Sequence, residues 1–94
     1  MAIKFPLRTT TIRFDFMKAD GSVLSVFDIV IDEKYSGEFN VPRIGESVNY
    51  TPHPDSTQYI GEVAVVRHSI QSVESPLGAT QQIRIELKNS QKLP

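Results

Sequence analysis

The chain has 94 residues, enough for one small domain over residues 1–94 and too few for a second hydrophobic core. Its hydrophobic fraction of 39% and charged fraction of 22% are typical of a folded globular domain and exclude a disordered one. Ten basic and eleven acidic side chains nearly balance, which argues against a strongly basic nucleic-acid-binding protein.

The first long segments of the chain predict a β-hairpin, after an opening arm or short edge strand over residues 1–7. Residues 8–18 and 23–31 read as strands, and Asp20-Gly21 between them is a preferred centre of a two-residue turn. Such a turn places Ala19 opposite Ser22 and fixes the register of both strands. The pairs that follow are Ile12 with Ile29, Phe14 with Phe27, and Arg13 with Asp28. Apolar pairs on one face and opposite charges on the other favour this register.

Both faces of the predicted hairpin carry apolar side chains. One face holds Ile12, Phe14, Phe16, Phe27, Ile29 and Ile31, and the other holds Met17, Leu24, Val26 and Val30. Strands that are apolar on both faces are usually covered on both. The N-terminal arm, residues 35–41 or a partner subunit could cover the second face. We interpret its four residues as a candidate interface between proteins.

The rest of the chain predicts three more strands. A short extended stretch, Glu38–Val41, precedes strands over residues 45–51, 58–70 and 80–88. Residues 52–56 and 71–79 are rich in proline, glycine and polar side chains, which predicts loops, and residues 89–94 read as a polar tail. Strict alternation along the long strand would place Val63 and Val65 on one face and Ala64, Val66, His68 and Ile70 on the other. A β-bulge near Ala64 or Val65 would instead bring Val63, Val66, His68 and Ile70 onto one face.

No segment shows a capped helical stripe, so the expected class is all-β. Five to six strands in a chain of this length indicate a small antiparallel barrel or a two-sheet sandwich, with a long N-terminal hairpin. The segments Val41–Val48, Gly61–His68 and Ile83–Leu87 resemble the Pro-x-x-Gly-acidic-x-Val entry, the Gly-x-Val-x-x-Val strand and the last strand of small SH3-like barrels. That resemblance implies an SH3-like barrel, a fold shared by RNA-binding, phage structural and uncharacterised bacterial modules, and it implies no catalytic residues.

The absence of cysteine excludes disulfides and thiolate catalysis. Small secreted domains often depend on disulfides, and residues 1–6 lack an apolar run of signal-peptide length. No apolar stretch is long enough to span a membrane. We therefore expect a cytoplasmic protein that has no membrane partner.

The residues that could carry chemistry give little support to an enzyme. His53-Pro54-Asp55 spells the tripeptide of J-domain co-chaperones, but here it lies between strands and is interpreted as coincidence. We expect His68 to be a partly buried structural imidazole, because too few other donors are available for a zinc site. An acidic group, Asp15, Asp28, Asp32 and Glu33, is expected to form a solvated rim. No cofactor is expected.

Two hypotheses about function remain. The first is a non-enzymatic structural or protein-interaction module of bacterial or phage type that associates with itself or with another protein through the second hairpin face. The second is a nucleic-acid-binding small barrel in which Arg43, Tyr50, Tyr59 and Arg67 present aromatic and basic groups on one surface. A competing interpretation is that these tyrosines pack at the barrel rim and the arginines pair with Glu46 and Glu62.

Overall fold

A computed structural model describes residues 2–4, 9–32, 38–54, 56–73 and 78–93 of the chain. Within these ranges the chain forms seven strands and no helix. They are β1 (Ala2–Lys4), β2 (Thr9–Met17), β3 (Val23–Asp32), β4 (Glu38–Asn40), β5 (Ser47–Tyr50), β6 (Gln58–Val73) and β7 (Gly78–Leu93). The predicted all-β class is therefore confirmed.

The strands form a five-stranded sheet in the order β3-β2-β7-β6-β5, with β1 and β4 paired separately. The central strands β2 and β7 run parallel and the other neighbours run antiparallel, so the sheet is mixed. It curls into a half-barrel and does not close. The prediction of a closed antiparallel barrel is wrong, because alternation within a strand does not specify the direction of a distant neighbour. The predicted N-terminal edge strand exists as β1, and the remainder of residues 1–7 lies outside the described ranges.

The hairpin between β2 and β3 has the predicted register but a different turn. Ile12 lies opposite Ile29, Phe14 opposite Phe27, and Arg13 opposite Asp28. The Gly21 amide donates to the Lys18 carbonyl over 2.9 Å, and the Lys18 amide donates to the Ser22 carbonyl over 2.8 Å. The loop is therefore Ala19-Asp20-Gly21, three residues long. The predicted pairing of Ala19 with Ser22 is wrong because Gly21, at a φ of 88°, closes the loop.

A β-bulge compensates for the extra loop residue. The pairing shifts from Met17 with Val23 to Phe16 with Ser25, which leaves Leu24 as the inserted residue. The shift restores the predicted register along the rest of the hairpin. It also turns Leu24 toward the core, against which it packs. The prediction that Leu24 lies on the second face of the hairpin is therefore wrong.

The long strand β6 contains a β-bulge, which was one of the two alternatives that its sequence left open. Its register against β7 shifts between Val63 and Val65, so Ala64 is the extra residue. On the far side of the bulge Val66, His68 and Ile70 share a face with Val63. On β7, Val63 pairs with Leu87, Val66 with Ile85, His68 with Ile83 and Ile70 with Gln81.

Strands β6 and β7 are longer than the sequence pattern indicated. Residues 71–73, which we expected in a loop over residues 71–79, pair with residues 78–80. Residues 91–93, which we expected in a polar tail, pair with residues 58–60. A second register shift lies opposite Gly61, and Asn89 adopts a φ of 52° beside it. This second bulge lets β7 continue beyond Lys88, where the regular alternation of apolar and polar residues ends. The polar composition of the following residues gave no indication of a strand. Residues 74–77 lie outside the described part of the loop.

The core occupies the inner, concave face of the half-barrel. Its buried apolar side chains are Ile12, Phe14, Phe16, Val41, Tyr59, Val63, Ile83, Ile85 and Leu87. The rings of Phe14, Phe16, Phe27, Tyr50 and Tyr59 contact one another, with centroid distances from 4.8 Å (Phe27 to Tyr59) to 6.2 Å (Phe14 to Phe16). Contacts of this kind add to the stabilisation from burial alone.

One polar atom in this core lacks a partner. Thr10 is fully buried, and its Oγ1 has no hydrogen-bond partner in the part of the chain that the structure describes. An unsatisfied buried hydroxyl costs about 1–3 kcal/mol, and valine has nearly the same shape. We expect Thr10→Val to raise the free energy of unfolding by about that amount, measured by urea denaturation. Thr11→Val, on the outer face, is the matched control, and a Thr10→Val protein less stable than the wild type would contradict the assignment.

Candidate functional site

The sheet presents its outer, convex face to solvent. Cross-strand partners share a face, and on this face they form four rows across β2, β7 and β6. The rows are Thr9, Thr80, Gln71; Thr11, Gln82, Ser69; Arg13, Arg84, Arg67; and Asp15, Glu86, Val65. Strand β3 continues the face at the sheet edge with Val30, Asp28 and Val26.

Asp15 is the buried charge of the convex face, with 3% of its surface exposed. Its Oδ1 accepts a hydrogen bond from Arg13 Nε over 2.9 Å, and its Oδ2 accepts one from Arg84 Nε over 2.7 Å. The hydrogen bond from Arg13 to Asp15, together with their charge attraction, raises the pKa of Arg13 above its ordinary value. The expected solvated rim is therefore wrong for Asp15, because its two arginines lie over it.

The other residues of the predicted acidic rim are placed differently. Asp28 is exposed opposite Arg13, as the register predicted, but the hydrogen bond of Arg13 goes to Asp15. The side chain of Asp32 and the whole of Glu33 lie outside the described residues. The two carboxylates that can be placed thus lie in different environments, one buried and one in water.

Three arginines lie side by side on the convex face. Arg84 is the cross-strand partner of Arg13 on one side and of Arg67 on the other. Strands in a sheet are about 4.8 Å apart, so the three residues form a continuous row. Like charges directly opposite one another destabilise a sheet, and Asp15 offsets the repulsion for the first two. Arg67 is exposed and has no ion pair within the described ranges.

The four residues predicted to bind nucleic acid do not share a surface. Tyr50 and Tyr59 are direct partners on β5 and β6, and both rings pack into the concave core. Arg67 lies on the convex face, whereas Arg43 lies in the turn before β5. Arg43 and Glu46 are joined through the Arg43 backbone amide, which donates to Glu46 Oε1 over 2.6 Å. Glu62 pairs with Lys88 over 3.2 Å, so neither expected arginine pair with Glu46 or Glu62 forms through the side chains.

A groove of about 310 Å³ opens beside that turn. Its walls are Val41, Pro42, Arg43, Ile44, Val66 and His68. His68 is exposed there, so the expectation of a partly buried imidazole is wrong. The strand is apolar around His68, but the half-barrel does not close over this end of its concave face.

The residues predicted to form a protein interface are also divided. Val26 and Val30 are 39% and 64% exposed on β3, whereas Met17 is half-buried and Leu24 packs against the core. Val23, which the prediction omitted, is 58% exposed beside them. The exposed apolar surface of the hairpin therefore lies on the edge strand.

Comparisons with protein-family models, with curated proteins and with solved structures each found no match. Among the residues that the structure describes, no group of three or more His, Asp or Glu side chains is arranged to hold a metal ion. The same residues contain no helix that is long and apolar enough to cross a membrane.

Sequence reasoning missed the arginine row because its members are far apart in the chain. The hairpin register places Arg13, and the alternation of residues 83–87 places Arg84 outward. Only the parallel pairing of β2 with β7 brings these two residues together. The alternation along each strand indicated that both arginines face outward, but nothing in the sequence indicated that β2 and β7 are neighbours.

Proposed function

We propose that the protein is a non-enzymatic protein-interaction module that self-associates through the free edge of β3. The observation that carries the proposal is the length and composition of this edge strand. β3 has ten residues and pairs only with β2 within the described part of the chain. The opposite edge strand, β5, has only four residues.

The edge of β3 lacks most of the features that prevent strands from pairing between molecules. Natural edge strands are commonly short, or carry lysine, proline or a central bulge. Residues 26–31 of β3 are Val-Phe-Asp-Ile-Val-Ile, with one charge and no proline, and the bulge at Leu24 lies near the turn. Exposed backbone amides and carbonyls along such a strand pair readily with another extended strand.

A second copy of the chain fits this edge in one favourable antiparallel register. Two β3 strands related by a twofold axis at Ile29 place Phe27 of each copy opposite Ile31 of the other. Asp28 then lies opposite Val30, whereas a register centred on Asp28 would place two carboxylates face to face. A twofold interface of this kind is self-complementary and closes at the dimer. In this dimer the side chains of Val26 and Val30 become covered at the interface.

Small SH3-like barrels, which the sequence pattern resembles, provide a precedent for such a role because they include phage structural modules. We further propose that the protein is cytoplasmic and of bacterial or phage type. The alternative to self-association is binding of a different protein at the same edge. Nucleic acid is the second candidate ligand, and the convex arginine row is the feature that favours it.

The test is the oligomeric state of matched variants, measured by sedimentation equilibrium at high micromolar concentration. We expect a dimer for the wild type, and a monomer for Val30→Lys because lysine on an edge strand opposes pairing. Ile44→Lys replaces an equally exposed apolar residue, 70% exposed, outside β3 and should remain dimeric. Hydrogen exchange should show concentration-dependent protection of β3 amides but not of β5 amides. A monomeric wild type, or a dimer that survives Val30→Lys, would refute the proposal.

A further inference from the structure

We infer that the convex face of β2, β7 and β6 binds the phosphodiester backbone of nucleic acid through Arg13, Arg84 and Arg67. This inference is independent of the proposed self-association, which uses β3. The three guanidinium groups occupy one row at neighbouring strand positions, about 10 Å from end to end. The planar guanidinium group of arginine matches phosphate oxygens in hydrogen-bond geometry and in charge.

The buried carboxylate of Asp15 orients two of these arginines. It accepts a hydrogen bond from the Nε of each arginine, and no hydrogen bond joins their terminal nitrogens to another residue of the described ranges, so these nitrogens can contact a ligand. The side chains of Arg13 and Arg84 remain 37% and 46% exposed while held in this way. Arg67 completes the row with a charge that no carboxylate of the described residues neutralises. The row is thus partly ordered before any anion binds, which lowers the entropy cost of binding.

The two adjacent rows supply uncharged hydrogen-bonding groups. Thr9, Thr80, Gln71, Thr11, Gln82 and Ser69 extend the surface about 13 Å along the strands, and none of these six side chains is a carboxylate. The carboxylates of this face lie on the other sides of the arginine row, with Asp28 opposite Arg13 on β3 and Asp15 and Glu86 in the next row. A depression of about 220 Å³ is lined by these six side chains together with Ile70 and Gln81. Hydroxyl and amide side chains are common partners of phosphate oxygens in nucleic-acid complexes.

The composition of the three rows favours a phosphodiester backbone over an acidic protein. Protein interfaces depend on buried aromatic or aliphatic anchors, and none of these nine side chains is apolar. The aromatic rings that the structure describes, those of Phe14, Phe16, Phe27, Tyr50 and Tyr59, pack in the concave core and are not available to stack on bases. Binding through this face should therefore be electrostatic and independent of base sequence.

The experiment is a fluorescence anisotropy titration of the full chain against labelled homopolymeric DNA oligonucleotides over a range of salt concentrations. We expect weak, sequence-independent binding, with log K falling against log salt at a slope of about −1.5 to −2 for two to three phosphates. Arg67→Gln should weaken binding about tenfold and flatten the slope. Arg67→Lys should keep most of the slope because the charge remains.

Arg43→Gln is the matched control, since it removes the same charge from an exposed residue outside the convex face. It should bind as the wild type does. Absence of binding at low salt would overturn the inference, as would an equal loss in Arg43→Gln and Arg67→Gln. Binding of polyglutamate as tight as that of DNA would also overturn it, because the face would then recognise carboxylates rather than phosphates. Sedimentation of each variant separates these outcomes from any change in self-association.

Discussion

Replacing Phe16 with alanine is expected to lower the free energy of unfolding by about 3–5 kcal/mol. Phe16 is fully buried at the centre of the aromatic cluster, and its ring contacts Phe14, Phe27 and Tyr59 at centroid distances of 6.2, 6.0 and 5.8 Å. Alanine would leave a cavity bounded by three rings held on three different strands. Because small domains have only about 5–15 kcal/mol of stability in total, the variant should be close to unfolding.

The measurement is urea denaturation followed by far-ultraviolet circular dichroism, since the chain has no tryptophan. Ile44→Ala is the control, because Ile44 is 70% exposed outside β3 and truncating an exposed side chain usually changes stability by less than about 0.5 kcal/mol. An unchanged unfolding midpoint for Phe16→Ala would show that the aromatic cluster is not the core of the protein.

Gly61→Ala is expected to cost about 1–3 kcal/mol, although alanine suits a strand better than glycine does. A β-carbon on Gly61 would lie 2.5 Å from Ser90 Oγ and 2.8 Å from Leu87 Cβ. The Ser90 hydroxyl can rotate away, but Leu87 is fully buried and its Cβ is fixed to the backbone. The close approach arises where the bulge at Asn89 brings β7 toward β6.

A double variant separates the two contacts of Gly61. Ser90→Ala in the Gly61→Ala background removes the nearer atom and leaves the Leu87 contact, so stability should recover only in part. The free energies come from the same urea unfolding experiment. A Gly61→Ala protein as stable as the wild type would mean that β6 and β7 do not approach so closely at the bulge.

The all-β class and the register of the hairpin could be predicted from the amino-acid sequence, whereas the bulge in β6 was only one of two alternatives. These features follow from interactions between neighbours in the chain or from alternation along one strand. Phe14 could be placed opposite Phe27 because a short loop joins their strands, even though the loop has three residues rather than two. The wrong loop length did not affect this pairing, because the bulge at Leu24 restores the predicted register. Burial of the hairpin's aromatic face constrains the register more strongly than the loop does.

Three features could not be predicted and arise only in the folded sheet: the parallel pairing of β2 with β7, the burial of Asp15 and the row formed by Arg13, Arg84 and Arg67. Each depends on contacts between segments about 70 residues apart, and local periodicity contains no information about which distant strands become neighbours. The tyrosines illustrate the same limit. Tyr50 and Tyr59 were correctly assigned to strands, but the curvature of the sheet turned both rings into the core and left Arg67 on the opposite face.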